Sequence, residues 1–482
     1  MTATAERPAV DDDAYRDPTR PATTPRLAPT GRRRVPHWWR DGVGSLTWAS
    51  MLVVVALWVA GGGLQDHGQL GTGLTSLGRL TGLVASDLLL IQVLLMARIP
   101  LVERSYGQDE LARRHRLVGF TSFNLMVAHI VLIVFGYAAM EGRNLFAETW
   151  ELVVDYPGML IAVAGTAALV MVTVTSIKKA RRTLRYESWH LLHLYAYVGV
   201  GLALPHQLWT GQEFLASTVA TVYWWGLWAA AAAAVLLYRV GMPVYRTLAY
   251  DLRVTAVVHE SNDVVSVWMT GRHLHRLPVA AGQFFTWRFL TGPGWLRGHP
   301  YSLSAAPTSD TLRISVKDLG DGSRELASLK PGTRVVVEGP YGTLHQGVRT
   351  RQKVTLLASG IGVTPLRALL EDLHQQPGDV TLVYRARSEQ ELVFKEELDA
   401  LARSRGARVL YVLGPRVAHR PSWLPDAAAH LTDAQGLLHL VPDIADHDVY
   451  VCGAGAWMEA VAEAAEAAGV PARHIHRERF SW

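Results

Sequence analysis

Six stretches in the first half of the chain are apolar over lengths that suit a membrane-spanning helix: about 46–63, 78–97, 115–138, 158–177, 188–206 and 216–238. A hydrocarbon core of about 30 Å needs roughly 20 residues at 1.5 Å each. After Arg239 the pattern changes. From about 250 to 345, short β-rich runs such as Asp251–Val258, Val264–Met269 and Leu312–Val316 are punctuated by Gly and Pro, which predicts a small antiparallel barrel over 248–347. From about 352, apolar strands alternate with helical segments. Lys353–Ala358 leads into a helix through Leu373, Val380–Tyr384 follows, and Asp448–Val451 precedes a further helix. That alternation predicts an open α/β sheet over 352–482. Residues 1–44 are rich in Pro, Thr, Arg and Asp without apolar periodicity and read as a disordered tail. The predicted architecture is an all-α six-helix membrane bundle over 45–240, then the β-barrel, then the α/β domain.

Basic residues set the sidedness of the bundle. Arg32, Arg33, Arg34 and Arg40 precede the first segment, and Arg98, Arg104, Arg113, Arg114 and Arg116 lie between the second and third. Lys178, Lys179, Arg181, Arg182 and Arg185 separate the fourth from the fifth, and Arg239, Arg246 and Arg253 follow the sixth. The alternate loops carry almost none, Arg143 being the clear exception. The positive-inside rule then puts both termini in the cytoplasm of a multi-pass plasma-membrane protein and runs the third and fifth segments from inside to outside. The first apolar run starts too far into the chain for an ordinary cleaved signal peptide.

Hydrophobic residues make up 49% of the 482 positions, with the excess in these segments, and the net charge is +5. The basic runs flank apolar segments and lack an aromatic-interleaved groove pattern, which argues for lipid headgroups and against nucleic acid as partner. A single cysteine, Cys452, excludes a disulfide framework and a four-cysteine iron–sulfur cluster within the chain.

Four histidines fall as two pairs inside the apolar segments, His115 with His129 and His193 with His206. At the helical rise each pair spans about 20 Å, which suits two flat cofactors stacked through a bilayer. Imidazole is a common axial ligand of haem iron, and ionisable groups at membrane depth are costly. The four are therefore read as axial ligands of two b-type haems, His115 and His193 at the cytoplasmic level, His129 and His206 at the outer level. The spacing of the second pair strains this reading: fourteen steps return to within ~40° of one face, thirteen land ~140° away. Pro205 can relieve it by bending the helix. His190, three residues before His193, is an alternative ligand. Arg79, near the outer edge of the second segment, either meets a haem propionate or an anion, or snorkels to the headgroups; Asp87, deeper in that segment, has no assigned role.

In the second half, His299-Pro300-Tyr301-Ser302-Leu303-Ser304 sets an aromatic ring beside small hydroxyls, as a stacked isoalloxazine would require. The Gly-rich turn with Lys317, Gly322 and Ser323 suits a pyrophosphate. Gly360, Gly362, Val363, Thr364 and Pro365 open a helix after a strand, where free N–H groups meet phosphate. This loop lacks the full six-residue dinucleotide fingerprint. Arg385 and Arg387 follow the second strand, and Cys452 and Gly453 follow a later one.

Together with Glu338-Gly339-Pro340-Tyr341-Gly342 and Glu478-Arg479-Phe480, this ordered set resembles the ferredoxin–NADP reductase superfamily. With the six segments and four histidines in front, and Arg185–Trp189 leading to His193, the chain is similar over about 45–482 to the NADPH oxidase and ferric reductase superfamily, in a compact bacterial form. The resemblance implies an FAD-binding barrel, an NAD(P)-binding α/β domain, and electron flow from NAD(P)H through FAD and two haems to an extracytoplasmic acceptor, a ferric chelate or oxygen. It implies flavin contacts from Tyr301 and Ser302, with His299 where arginine often stands. Gly360, Gly362 and Thr364 would line the dinucleotide, Cys452 would lie near the nicotinamide, and Phe480 would stack on the flavin. Trp482, two residues further on, leaves open which ring stacks. Arg385 and Arg387 would read a 2′-phosphate and favour NADPH over NADH. No loop of alternating acidic residues precedes the first segment, so calcium gating is not supported. The rival readings are a superoxide-producing oxidase, a haem-less flavin reductase anchored by its spans, and a membrane scaffold or sensor with a vestigial flavin domain.

Overall fold

The computed structural model describes residues 37–65, 68–177, 180, 186–291 and 298–478. Most of the N-terminal tail, the basic run Lys178, Lys179, Arg181, Arg182 and Arg185, and the terminal rings Phe480 and Trp482 lie outside the described residues. The chain forms two compact units, one ending at Met242 and one beginning at Pro243.

Each expected apolar segment falls on a helix of the first unit: α1 (His37–Ala60), α2 (Leu70–Met96), α3 (Gln108–Glu141), α4 (Met159–Ser176), α5 (Tyr186–Trp209) and α6 (Thr218–Ala234). A π-helical turn, Val235–Gly241, carries α6 on into Met242–Tyr250. Among the described residues five stretches are long and apolar enough to cross a membrane; α5, with three histidines in 24 residues, is not one of them. α3 starts seven residues earlier than its apolar segment. Its first turns, rich in Glu, Leu, Ala and Arg, are good helix formers too polar for a hydropathy window to register.

In the second unit, β1 (Arg253–Ser261), β2 (Val264–Thr270) and β5 (Thr311–Lys317) form one antiparallel sheet, and β4 (His299–Ser302), β3 (Phe284–Phe289) and β6 (Val335–Tyr341) another. Single bridges join their edges, Leu303 to Ile314 and Arg253 to Arg334. Phe285, Trp287, Leu303, Ile314 and Val337 are wholly buried between them. A parallel sheet follows in the order β11-β10-β7-β8-β9: Ile475–Arg477, Asp448–Cys452, Val354–Ser359, Val380–Ala386 and Arg408–Leu413. Successive residues of its strands feed cores on opposite faces. Leu356 packs with helices α7 (Val363–Asp372) and α8 (Lys395–Arg405), and Leu357 with α9 (Gly455–Ala467).

Two close helix pairs organise the membrane unit. Where α2 meets α3, a Cβ on Gly136 would lie 2.9 Å from the Thr75 nitrogen and 3.0 Å from the Gly71 carbonyl. Where α4 meets α5, a Cβ on Gly199 would lie 2.9 Å from the Leu169 side chain and 3.0 Å from the Gly165 carbonyl. In lipid no hydrophobic effect draws helices together, so close backbone approach over small residues does that work. Asp87, buried, accepts hydrogen bonds of 2.7 Å from Ser50 on α1 and 2.7 Å from Tyr223 on α6, which ties three helices together. Gly199→Ala forces α4 and α5 apart and is expected to cost about 1–3 kcal/mol, as overpacking does. Gly226→Ala on α6, with nothing within 4 Å of its Cβ position, is the control. Thermal unfolding in detergent checks this: a lower Tm for the first variant and an unchanged Tm for the second.

Candidate functional site

The membrane unit brings its four histidines together as two facing pairs. The rings of His115 (α3) and His193 (α5) have centroids 6.0 Å apart, and those of His129 and His206 stand 6.5 Å apart. Two metal–nitrogen bonds of about 2 Å plus the two ring radii need about 6 Å. His193 opposes His115 at that distance. Pro205 lies inside α5 without ending it, and His206 still meets His129 despite the thirteen-residue step.

Each Nδ1 already has a partner. That of His129 is 2.8 Å from the Gly78 carbonyl, that of His206 2.7 Å from the Ala203 carbonyl, that of His115 3.4 Å from the Gln92 carbonyl. His193 Nδ1 meets the Ser176 hydroxyl at 3.2 Å. Among the described residues Nε2 of His115, His129 and His206 has no hydrogen-bond partner. A metal-binding histidine has this form, one nitrogen held by a carbonyl or hydroxyl and the other presented to the metal. Gly82 makes room for one of them, since a Cβ there would sit 2.5 Å from the His129 ring. The residues fit two bis-imidazole haem sites. Arg79 has a protein partner, Glu213, at 3.3 Å.

In the second unit, the rings of His299 and Tyr301 lie parallel, 13° apart with centroids at 5.8 Å. Burial pushes the Tyr301 phenol upward, so it stays neutral. Pro300 lies on β4 between these two rings, paired with Thr286, and Ser302 pairs with Phe284. The Gly-rich turn reaches this ring pair: a Cβ on Gly322 would lie 2.8 Å from His299. The turn is closed by Ser323, whose hydroxyl accepts from Leu319 N–H and donates to the Gly320 carbonyl, both at 2.8 Å. The aromatic motif and the turn therefore share one place, as a flavin and its pyrophosphate require.

The loops at the carboxyl ends of β7 and β10 are pressed together. Gly360 has φ +55°, a Cβ on Gly362 would strike the Cys452 carbonyl, and one on Gly453 would lie 2.9 Å from Ser359. Thr364 bonds back to the Ile361 carbonyl at 2.9 Å. Val363 and Pro365 are buried, so this turn offers a ligand backbone at the start of α7.

Three sequence expectations need correction. Arg385, 4% exposed, donates to the carbonyls of Trp423, Ala386, Val412, Gly414 and Pro415, and its guanidinium is spent on its own fold. Ser304 is wholly buried, with its hydroxyl and carbonyl both taken by Arg313. Lys317 is held 3.0 Å from Asp263, away from the turn. Cys452, at the end of β10, is enclosed, and burial together with the Glu478 carboxylate pushes its thiol far up, so it is neutral there. Two residues were missed. Arg416 is exposed, and it and Arg387 act together to lower the pKa of Arg385, after burial. Glu478 accepts the Thr343 N–H at 3.0 Å and packs against Gly342, whose φ is +99°.

Comparison with known proteins matches residues 81–204 to the ferric reductase like transmembrane component and 356–463 to the oxidoreductase NAD-binding domain. The chain thus joins a ferric reductase-like transmembrane domain to a ferredoxin–NADP reductase-type FAD/NAD module. Its reductase half is 34% identical over 241 residues to the ferredoxin reductase component of 3-ketosteroid-9-alpha-monooxygenase from Mycolicibacterium smegmatis, covering 48% of this chain and 65% of that one. It is 32% identical to a flavohemoprotein of Candida norvegensis, over 45% of this chain and 55% of that one. It is 30% identical to ferredoxin–NADP reductase B of Sorangium cellulosum, over 39% of this chain and 80% of that one. The chain thus spans between about half and two thirds of the first two relatives. These matches support membrane helices in the first unit and an FAD/NAD(P)-type oxidoreductase module in the second.

The correction at Arg385 has a measurable consequence. Arg385→Ala strips a buried guanidinium from its carbonyls and is expected to destabilise the second unit by about 1.5–3 kcal/mol. Arg387→Ala, on an exposed side chain, is expected to leave stability unchanged. Thermal unfolding of the two variants separates them.

Proposed function

We propose that the chain is a transmembrane oxidoreductase of ferric-reductase type, passing electrons from cytoplasmic NAD(P)H by way of FAD and two b-type haems to an extracytoplasmic acceptor. The observation that carries the reading is the pair of histidine couples, 6.0 and 6.5 Å across, with every Nδ1 engaged. A haem between two imidazoles exchanges single electrons with no open position at the metal, and a flavin turns a two-electron donor into one-electron steps.

His115 and His193 would hold the inner haem, His129 and His206 the outer. Gln92, Gly78, Ala203 and Ser176 orient those rings and fix their tautomers. Six helices over 45–240 span the plasma membrane with both termini cytoplasmic, as the basic loops require. In the FAD-binding domain, 248–347, Tyr301, His299, Pro300 and Ser302 would hold the flavin, and the turn with Gly322 and Ser323 would take its pyrophosphate. In the NAD(P)-binding domain, 352–482, the backbone of Gly360, Gly362, Val363 and Thr364 meets the dinucleotide, with Pro365, Cys452 and Gly453 packing behind. Phe480, or Trp482, is the ring that the resemblance would assign to the flavin; both lie outside the described residues. Arg387, with Arg416, reads the 2′-phosphate and favours NADPH.

His129→Ala and His206→Ala are each expected to remove about one haem of two from the absorption spectrum while flavin reduction by NADPH continues. His115→Ala and His193→Ala should also stop electrons reaching the outer site. Full haem absorbance in all four variants sinks the assignment, and a wild-type protein without haem leaves the anchored-reductase or scaffold reading. An anaerobic assay with ferric chelate, set against oxygen consumption and superoxide, separates the reductase from the oxidase. Steady-state kinetics test Arg387→Ala: a rise in KM for NADPH of about tenfold, with KM for NADH unchanged, is expected.

A further inference from the structure

Four charged side chains meet in the interior of the second unit. Arg313 on β5 and Arg367 on α7 are each 2% exposed. Arg313 donates to both carboxylate oxygens of Glu397 on α8, at 2.8 and 3.0 Å. Arg367 donates to Glu397 at 2.8 Å and also to Glu371 on its own helix. Glu371 accepts the backbone N–H of Ala306 at 2.8 Å. Arg313 returns to the same short segment, 2.7 Å from the Ser304 carbonyl and 3.1 Å from its hydroxyl. The Arg313 guanidinium also sits 4.8 Å from the ring centroid of Phe394. Two cations and two anions form a chain that the 304–306 backbone closes into a ring, with Glu260 close enough to interact with Arg313, Arg367 and Glu397.

A buried ion pair is a weak source of stability, because desolvation offsets most of the attraction; its best-attested use is to fix one arrangement among several. The two ends of this ring are telling. Ser304 and Ala306 end or directly follow the 299–304 segment, and Arg367 stands one helical turn beyond Thr364, on the helix that the 360–362 turn opens. The ring thus ties the backbone behind the proposed flavin segment to the helix behind the proposed dinucleotide turn. Hydride transfer needs reacting atoms about 3–3.5 Å apart, and an error of 1 Å from a remote change can cost about 100-fold.

We infer that the Arg313–Glu397–Arg367–Glu371 ring is a positioning device that sets the nicotinamide against the flavin and so governs the rate of hydride transfer. In that transfer a hydride leaves the reduced nicotinamide and is taken up by the flavin, so NAD(P)H is oxidised as FAD is reduced. The inference rests on the proposed function. The ring acts through Ser304, Ala306 and α7, so its loss alters transfer and spares binding.

The test is anaerobic stopped-flow reduction of the full-length protein, loaded with FAD, by NADPH. Glu397→Gln keeps the shape and removes the shared negative charge. The limiting rate of flavin reduction is expected to fall about 10–100-fold, with the Kd for NADPH within about twofold of wild type. The long-wavelength charge-transfer absorbance of the nicotinamide–flavin pair should weaken with the rate. If Glu397→Gln fails to fold, Arg313→Lys keeps the cation without its fork, and the same split is expected at smaller size. Folded variants with wild-type rate and charge-transfer absorbance, or with weaker binding and an unchanged limiting rate, overturn the inference. A wild-type protein whose flavin neither nicotinamide reduces overturns the proposed function itself, and the inference with it.

Discussion

The contact between imidazole Nδ1 and a fixed acceptor is the interaction on which the membrane unit depends. An imidazole free to rotate or change tautomer presents either nitrogen to its neighbour, and a metal site needs one of them every time. On α3 that choice is made by α2: the acceptor carbonyls of Gly78 and Gln92 are fourteen residues apart, as are His129 and His115. Two adjacent helices in register can hold both rings only if their backbones come close, and Gly71, Gly82 and Gly136 permit that. On α5 the arrangement is less regular. His206 turns back to Ala203 on its own helix, beside Pro205, and His193 uses Ser176 at the end of α4. The thirteen-residue step is thus met by one acceptor on α5 itself and one at the end of α4, in place of two acceptors in register on one neighbour.

The second unit follows a different logic, because water can reach its edges. Polar groups that bind a ligand have to stay unspent, so the useful question about each is what already holds it. Arg313, Arg367 and Arg385 are all consumed internally, the first two by Glu397 and Glu371, the third by five carbonyls at the end of β8. Arg387 and Arg416 remain on the surface. Charge near a nucleotide loop is therefore of two kinds, one that shapes the loop and one that meets the ligand.

This divides what could be read in the sequence from what could not. Apolar run length and basic loops locate helices well, because lipid imposes one period and one sign of charge over many residues. Helix ends were legible only to within several residues, since the polar first turns of α3 are helical without being apolar. Histidine spacing located the facing pairs, while the glycine positions that let helices meet passed unremarked: a glycine in an apolar run looks the same whether it is exposed, as Gly226 is, or meets another backbone, as Gly136 does. Arg385 and Arg387 look alike in sequence, but β8 lies between β7 and β9 and residues two apart reach the strand end differently, one under the Trp423 loop and one outside. Lys317 and Ser304 failed for the same reason, as partners distant in sequence, Asp263 and Arg313, had claimed them.

The central claim is that four imidazoles, oriented from behind, close two six-coordinate haem sites. The most direct measurement is the low-temperature electron paramagnetic resonance spectrum of the oxidised full-length protein, with haem content measured on the same sample. The account predicts two haems per chain and low-spin ferric signals of bis-imidazole ligation, with no high-spin component. A high-spin signal integrating to either haem, which would mean an open or non-imidazole axial position, would contradict it.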